Sequence, residues 1–182
     1  MLPGAAYTPL LTVHGAAGTA VSVVSASKAF NLAGLKCAAI VTAAAGLAEI
    51  VGRFPAEVRE RTGHLGVLAS VAAFTDGDPW LAALIGTLAA RRAQLGDLLA
   101  ARLPMLTWTP PEATYLAWLD CSALGRDAEP RELFLTEGRV AVEPGTRFGA
   151  CGAGRVRLNF ATSPEILDEA VARMAAACAV RG

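Results

Sequence analysis

A single long helical pattern in the middle of the chain limits its folding options more than any other feature. Asp78-Pro79 places a capping side chain before a proline suited to the first helical position. From Trp80 to Arg102, Leu81, Leu84, Ile85, Leu88, Leu95, Leu98 and Leu99 recur near the helical period, and Pro104 stops the run. That length suits a helix bridging two domains. The spacing therefore predicts a boundary near Leu103, with residues 1–103 as the tail of one α/β domain and residues 104–182 as a small α/β domain.

Before the helix, Val21-Ser22-Val23-Val24-Ser25 is β-branched and short, which predicts a strand. A turn follows through Asn31 and Gly34, and Lys36 to Ala43 resumes as a buried strand. Pro55 opens a helix that runs to Phe74, interrupted around Gly63. After it, strands are expected over 114–119, 139–142 and 155–160, and helices over 130–137 and 164–179.

Composition removes several functional classes. Lys and Arg number 16 against 16 Asp and Glu, and the pI is about 6.7, which argues against a nucleic-acid or anionic-membrane surface. The apolar run from Cys37 to Val51 carries Glu49 and is shorter than the roughly 20 apolar residues that cross a bilayer. Cys37, Cys121, Cys151 and Cys178 are scattered, and His14 and His64 are the only histidines, too few ligands for a zinc or haem site. Dispersed thiols in a chain of this size point to a reducing compartment, hence to the cytoplasm.

The basic residues are unevenly chosen. Of the 16, 14 are arginine, and the two lysines, Lys28 and Lys36, fall in one segment, Ser25-Ala26-Ser27-Lys28-Ala29-Phe30-Asn31-Leu32-Ala33-Gly34-Leu35-Lys36. A lysine at the end of a buried strand among small residues loses hydration, which favours the neutral amine that imine chemistry needs. Neighbouring hydroxyls and a second cation can hold a phosphate dianion through charge-assisted hydrogen bonds. A second pattern lies in Arg155-Val156-Arg157-Leu158-Asn159-Phe160, whose alternation puts Arg155, Arg157 and Asn159 on one face and Val156, Leu158 and Phe160 on the other. A guanidinium fork held on a strand matches a carboxylate bidentately.

The lysine segment resembles the pyridoxal-phosphate (PLP) lysine signature of fold-type I aminotransferases, and its Lys-Ala-Phe-Asn-Leu-Ala-Gly-Leu-Lys form most resembles the MalY/PatB type of carbon–sulfur lyases. The resemblance implies the carboxyl-terminal half of an aspartate-aminotransferase fold: the tail of the PLP-binding large domain followed by the small domain. It implies that Lys28 carries the cofactor covalently, and it puts Ser25 and Lys36 where the family has phosphate ligands. Arg157-Leu158-Asn159-Phe160 resembles the family's carboxylate-binding strand, which assigns the substrate carboxylate to Arg157 rather than Arg155. Residues 142–149 resemble the loop ahead of that strand, an active-site cover, and residues 110–118 the strand that opens the small domain. Tyr115 and Trp118 are expected in the core. His64 lies where such enzymes approach a dimer partner, although a helix-surface histidine is the plainer reading.

The resemblance implies a cytoplasmic homodimer acting on an amino acid. The reaction expected is β-elimination from a thioether such as cystathionine, with Arg157 anchoring the carboxylate and the Lys28 amine taking the α-proton, giving pyruvate, ammonia and a thiol. Transamination uses the same residues and is the alternative. No Asp or Glu precedes Glu49, so the carboxylate that pairs with the cofactor's ring nitrogen in complete enzymes has no counterpart here. The chain therefore reads as truncated at its amino terminus, and an inert fragment is the third reading.

Overall fold

The central helical pattern forms one helix, α4, over Asp78–Arg102. Asp78 is its first residue rather than a cap outside it, and Leu81 N–H donates to the Gly77 carbonyl (2.9 Å). The computed structural model describes residues 1–125 and 129–179. The chain divides into two compact units, Ala6–Leu84 and Met1–Ala5 with Ile85–Gly182.

In the Ala6–Leu84 unit, β1 (Ser22–Val24) pairs antiparallel with β2 (Ala39–Val41), Val23 opposite Ile40. Three helices follow: α1 (Ala45–Gly52), α2 (Ala56–Glu60) and α3 (His64–Asp76). Pro55 precedes α2 as its N-cap, and the break expected around Gly63 separates α2 from α3. The strand expected over Lys36–Ala43 is shorter, and it is exposed along its whole length rather than buried. Two causes act. Lys36 adopts a left-handed conformation (φ 49°, ψ 48°) closing the 3-10 turn Ala33–Leu35, which interrupts extension. A two-stranded sheet also buries little of either face.

The other unit is built on a four-stranded antiparallel sheet in the order β3 (Thr107–Trp108), β4 (Leu116–Asp120), β6 (Arg155–Asn159), β5 (Glu143–Pro144). Alternation sorts the two central strands: Ala117, Leu119, Val156 and Leu158 are buried on one face, while Trp118, Arg155 and Arg157 share the other. The core is completed by α5 (Pro130–Thr136), which buries Leu133 and Phe134, and α6 (Pro164–Ala179), which buries Leu167, Val171, Met174 and Ala177 at helical spacing. Ser163 caps α6, its Oγ accepting from Ile166 N–H (3.3 Å), and Pro164 takes the first helical position. The Arg102 guanidinium near the end of α4 grips Asp168 of α6 through both nitrogens (2.9 and 3.2 Å).

The short strand expected over 139–142 does not form. Arg139 has φ 55°, which breaks an extended run there, and pairing begins at Glu143. Among the described residues no helix is long and apolar enough to cross a membrane, and no group of three or more His, Cys, Asp or Glu is placed to hold a metal ion.

Candidate active site

The lysine segment folds as a tight loop leaving β1. Phe30 N–H donates to the Ala26 carbonyl (2.9 Å) and Leu32 N–H to that of Ser27 (3.0 Å), so the backbone turns helically around Lys28 without forming a helix. Ser25 ties the two sides of the loop together. Its Oγ–H donates to the Cys37 carbonyl (2.6 Å), and the same oxygen accepts from Ser27 N–H (3.2 Å) and bonds with Ser27 Oγ. Ala26 is buried to 1% exposure beneath the turn, whereas Lys28 and Lys36 are both exposed. The desolvated amine expected from a buried strand end is thus not found. Among the described residues no apolar layer closes over Lys28.

Two glycines hold this loop in place. Gly66 of α3 is buried so closely against it that a Cβ there would lie 2.5 Å from the Leu35 carbonyl oxygen and 3.1 Å from Cys37 Cβ. Gly77, between α3 and α4, admits the Phe30 ring: a Cβ at Gly77 would meet its Cε1 at 2.4 Å. That ring stands edge-on to Phe74 (centroids 5.9 Å apart, 85°) and stacked with Trp80 (5.9 Å, 26°). The loop is anchored by Phe30 at one end and by Leu35–Cys37 at the other.

In the second unit, Arg155 and Arg157 share a sheet face but not a role. Arg155 is committed to structure, donating to Asp120 Oδ2 (2.8 Å) and to the Cys151 carbonyl (2.6 Å). Asp120 also accepts from Ser122 through its hydroxyl and its N–H (3.0 Å). These bonds, Ser122 first and Arg155 after, hold the Asp120 carboxyl below the usual carboxylate range against an opposing effect of burial. The Arg157 side chain, by contrast, makes no hydrogen bond or ion pair among the described residues. Its guanidinium lies over the Phe148 ring, 4.8 Å from the centroid. It faces a cleft of about 720 Å³ lined also by Leu116, Glu143, Thr146, Arg147 and Asn159. Glu143, its neighbour on β5, is paired with Arg147 (2.5 Å). Among the described residues, the uncommitted guanidinium on the sheet is that of Arg157, and it opens onto a polar cleft, an arrangement suited to an incoming carboxylate.

Lys28, Ser25 and Lys36 belong to the Ala6–Leu84 unit and Arg157 to the other. The profile of the family described as aminotransferase class I and II matches residues 3–174, which include all four. The chain belongs to the aminotransferase class I and II family.

Among its relatives in that family, a Mycobacterium leprae protein provisionally named cystathionine beta-lyase is 44% identical over 96% of this chain and 46% of its own length. Cystathionine beta-lyase PatB of Bacillus subtilis is 36% identical over 97% of this chain and 46% of its own. A solved structure from Corynebacterium diphtheriae, provisionally titled a PLP-dependent beta-cystathionase, superposes with a TM-score of 0.84 at 36% identity, covering 90% of this chain and 44% of that one. The chain spans about half the length of the curated relatives it matches. Its fold is the mixed helix-and-sheet, fold-type I architecture of the PLP-dependent aminotransferases.

For this aminotransferase-family chain, sequence reasoning missed the residues that seat the site. Gly66 and Gly77 carry no signal in one sequence, because close approach of two segments distant along the chain is a tertiary fact. Trp118, expected in the core, is 36% exposed on the Arg157 face. The alternation of β4 could have placed it, since Ala117 and Leu119 take the buried positions on either side.

Proposed function

We propose that this chain is the PLP-binding carboxyl-terminal part of a carbon–sulfur β-lyase that cleaves thioether amino acids such as cystathionine into pyruvate, ammonia and a thiol. The observation that carries the proposal is the likeness to cystathionine beta-lyases across 96–97% of the chain, including the whole Lys28 segment. In this reading residues 1–103 belong to the PLP-binding large domain and residues 104–182 to the small domain. The whole protein is a cytoplasmic homodimer.

The residues present suit the cofactor. An accessible amine, two hydroxyls bonded to each other and a second ammonium lie on one loop, a donor set matched to an aldehyde and a phosphate dianion. Lys28 would hold the cofactor covalently, with Ser25 and Lys36 on its phosphate. When bound, PLP supplies an electron sink for the pair left at the substrate α-carbon. The protein's part is binding and proton transfer. Arg157 would fix the substrate carboxylate in its guanidinium fork, and the Lys28 amine, once released, would take the α-proton as general base. The Ser25 hydroxyl, which donates to the Cys37 carbonyl in the free chain, would turn from that oxygen to donate to the phosphate.

The test is release of pyruvate from L-cystathionine by the PLP-loaded protein, coupled to borohydride reduction and peptide mapping. The expected result is PLP-dependent pyruvate with the reduced label on Lys28. No pyruvate, or a label on another side chain, refutes the proposal. The family description itself favours a second reading, transamination. It predicts turnover that depends on an added keto acid and yields no pyruvate.

A further inference from the structure

The loop between β5 and β6 is built with unusual closeness for an exposed segment. Gly145 and Gly152 are buried against each other: a Cβ on Gly145 would lie 2.2 Å from the Gly152 carbonyl oxygen, and one on Gly152 would lie 2.0 Å from that of Gly145. Between them Gly149 turns with φ 116°, and two short 3-10 turns, Gly145–Phe148 and Ala150–Gly152, take up the chain. The loop is therefore pinned at both ends, and what it presents is Phe148. That ring remains 48% exposed, so burial alone does not explain its place. It sits under the Arg157 guanidinium at 4.8 Å and edge-on to Trp118 (5.5 Å, 81°), the residue paired with Arg157 across the β4–β6 ladder.

A guanidinium lying on an aromatic face keeps its in-plane N–H edge free. That edge is the one a carboxylate meets bidentately. An arginine without polar partners would otherwise spread over many rotamers, and ordering it would weaken every carboxylate it binds.

We propose that Phe148, pinned by the Gly145–Gly152 contact and buttressed by Trp118, is a positioning residue that fixes the plane of the Arg157 guanidinium for the substrate α-carboxylate. The inference rests on the reading of Arg157 given above, but its first readout does not. In the ¹⁵N-labelled 182-residue chain without ligand, the Arg157 Nε–Hε group is expected to be ordered and ring-current shifted. Phe148→Leu should abolish both properties and Phe148→Tyr should keep them.

In the PLP-loaded protein, Phe148→Leu should raise KM for L-cystathionine about two- to five-fold, the size of an exposed cation–π contact, with kcat unchanged. Phe148→Tyr should restore KM. An Arg157 resonance as mobile in the parent chain as in Phe148→Leu overturns the proposal, as does a Phe148→Leu variant that loses kcat with KM constant. Absence of pyruvate alongside an ordered, Phe148-dependent Arg157 refutes the lyase reading and supports the positioning role.

Discussion

Replacing Gly66 by alanine tests how the lysine loop is seated. The added Cβ would lie 2.5 Å from the Leu35 carbonyl oxygen, where ordinary contact begins near 3.4 Å, so a deficit of about 0.9 Å has to be relieved. Neither side yields easily. The oxygen belongs to the backbone of the 3-10 turn that ends at left-handed Lys36, and the glycine lies in α3, which is anchored onward through Ala73 and the Gly77 contact with Phe30. The next atom, Cys37 Cβ at 3.1 Å, is also tight, and the carbonyl of that residue accepts the Ser25 hydroxyl. Overpacking costs about 1–3 kcal/mol, and contact with backbone that cannot step aside takes the upper part of that range, about 2–3 kcal/mol. The helix preference of alanine returns up to about 1 kcal/mol. A net loss of about 1–2 kcal/mol remains.

Equilibrium urea unfolding followed by circular dichroism reads this loss. With a slope of about 2 kcal/mol per molar, the midpoint should fall by roughly 0.5–1 M. Gly86→Ala in α4 is the control, because no atom lies within 4 Å of its added Cβ and only the helix preference acts, so its midpoint should rise. A Gly66→Ala midpoint equal to or above that of the parent chain would show that α3 and the loop are not in the contact described.

Three other outcomes follow from the geometry. Phe160 is fully buried at the end of β6, so Phe160→Ala should destabilise the chain by about 3–5 kcal/mol in the same urea assay, and a loss below 1 kcal/mol would contradict the assigned core. Burial, with the Asp120 charge second, pushes the Cys121 thiol up to about 12, leaving roughly one thiolate in ten thousand at pH 8; a thiol reagent should label exposed Cys151 in the native state and leave Cys121 intact, and comparable rates would refute this. The Asp120 carboxyl is lowered in the fold, so its contribution is present above the ordinary carboxylate value near 4 and lost as pH falls through the lower folded value; the urea-midpoint gap between the parent chain and Asp120→Asn should be constant above about pH 5 and narrow steadily as pH falls below about 4, and a gap that widens or stays constant on acidification would refute it.

Local order was legible wherever one segment determines its own conformation. The helix from Asp78 to Arg102, the Ser163-Pro164 start of α6, the break near Gly63 and the two faces of the Arg155–Asn159 strand all follow from period, capping and proline rules, which act over a few residues. The strand expected over 139–142 failed for an equally local cause, the positive φ of Arg139, but a single arginine carries no mark of that conformation.

The sequence by itself determined the two patterns on which the functional reading stands: a serine-flanked loop holding both lysines, and an alternating strand that points two arginines the same way. The tertiary structure alone decided how those groups are used. It tied Arg155 to Asp120 and left Arg157 facing a cleft, brought Phe148 under the free guanidinium, wedged Gly66 and Gly77 against the loop, and left Lys28 exposed. The division has a physical origin. Backbone preference and periodicity are properties of neighbouring residues, whereas ion-pair partners, close backbone approach and burial depend on segments that meet only when the chain is folded.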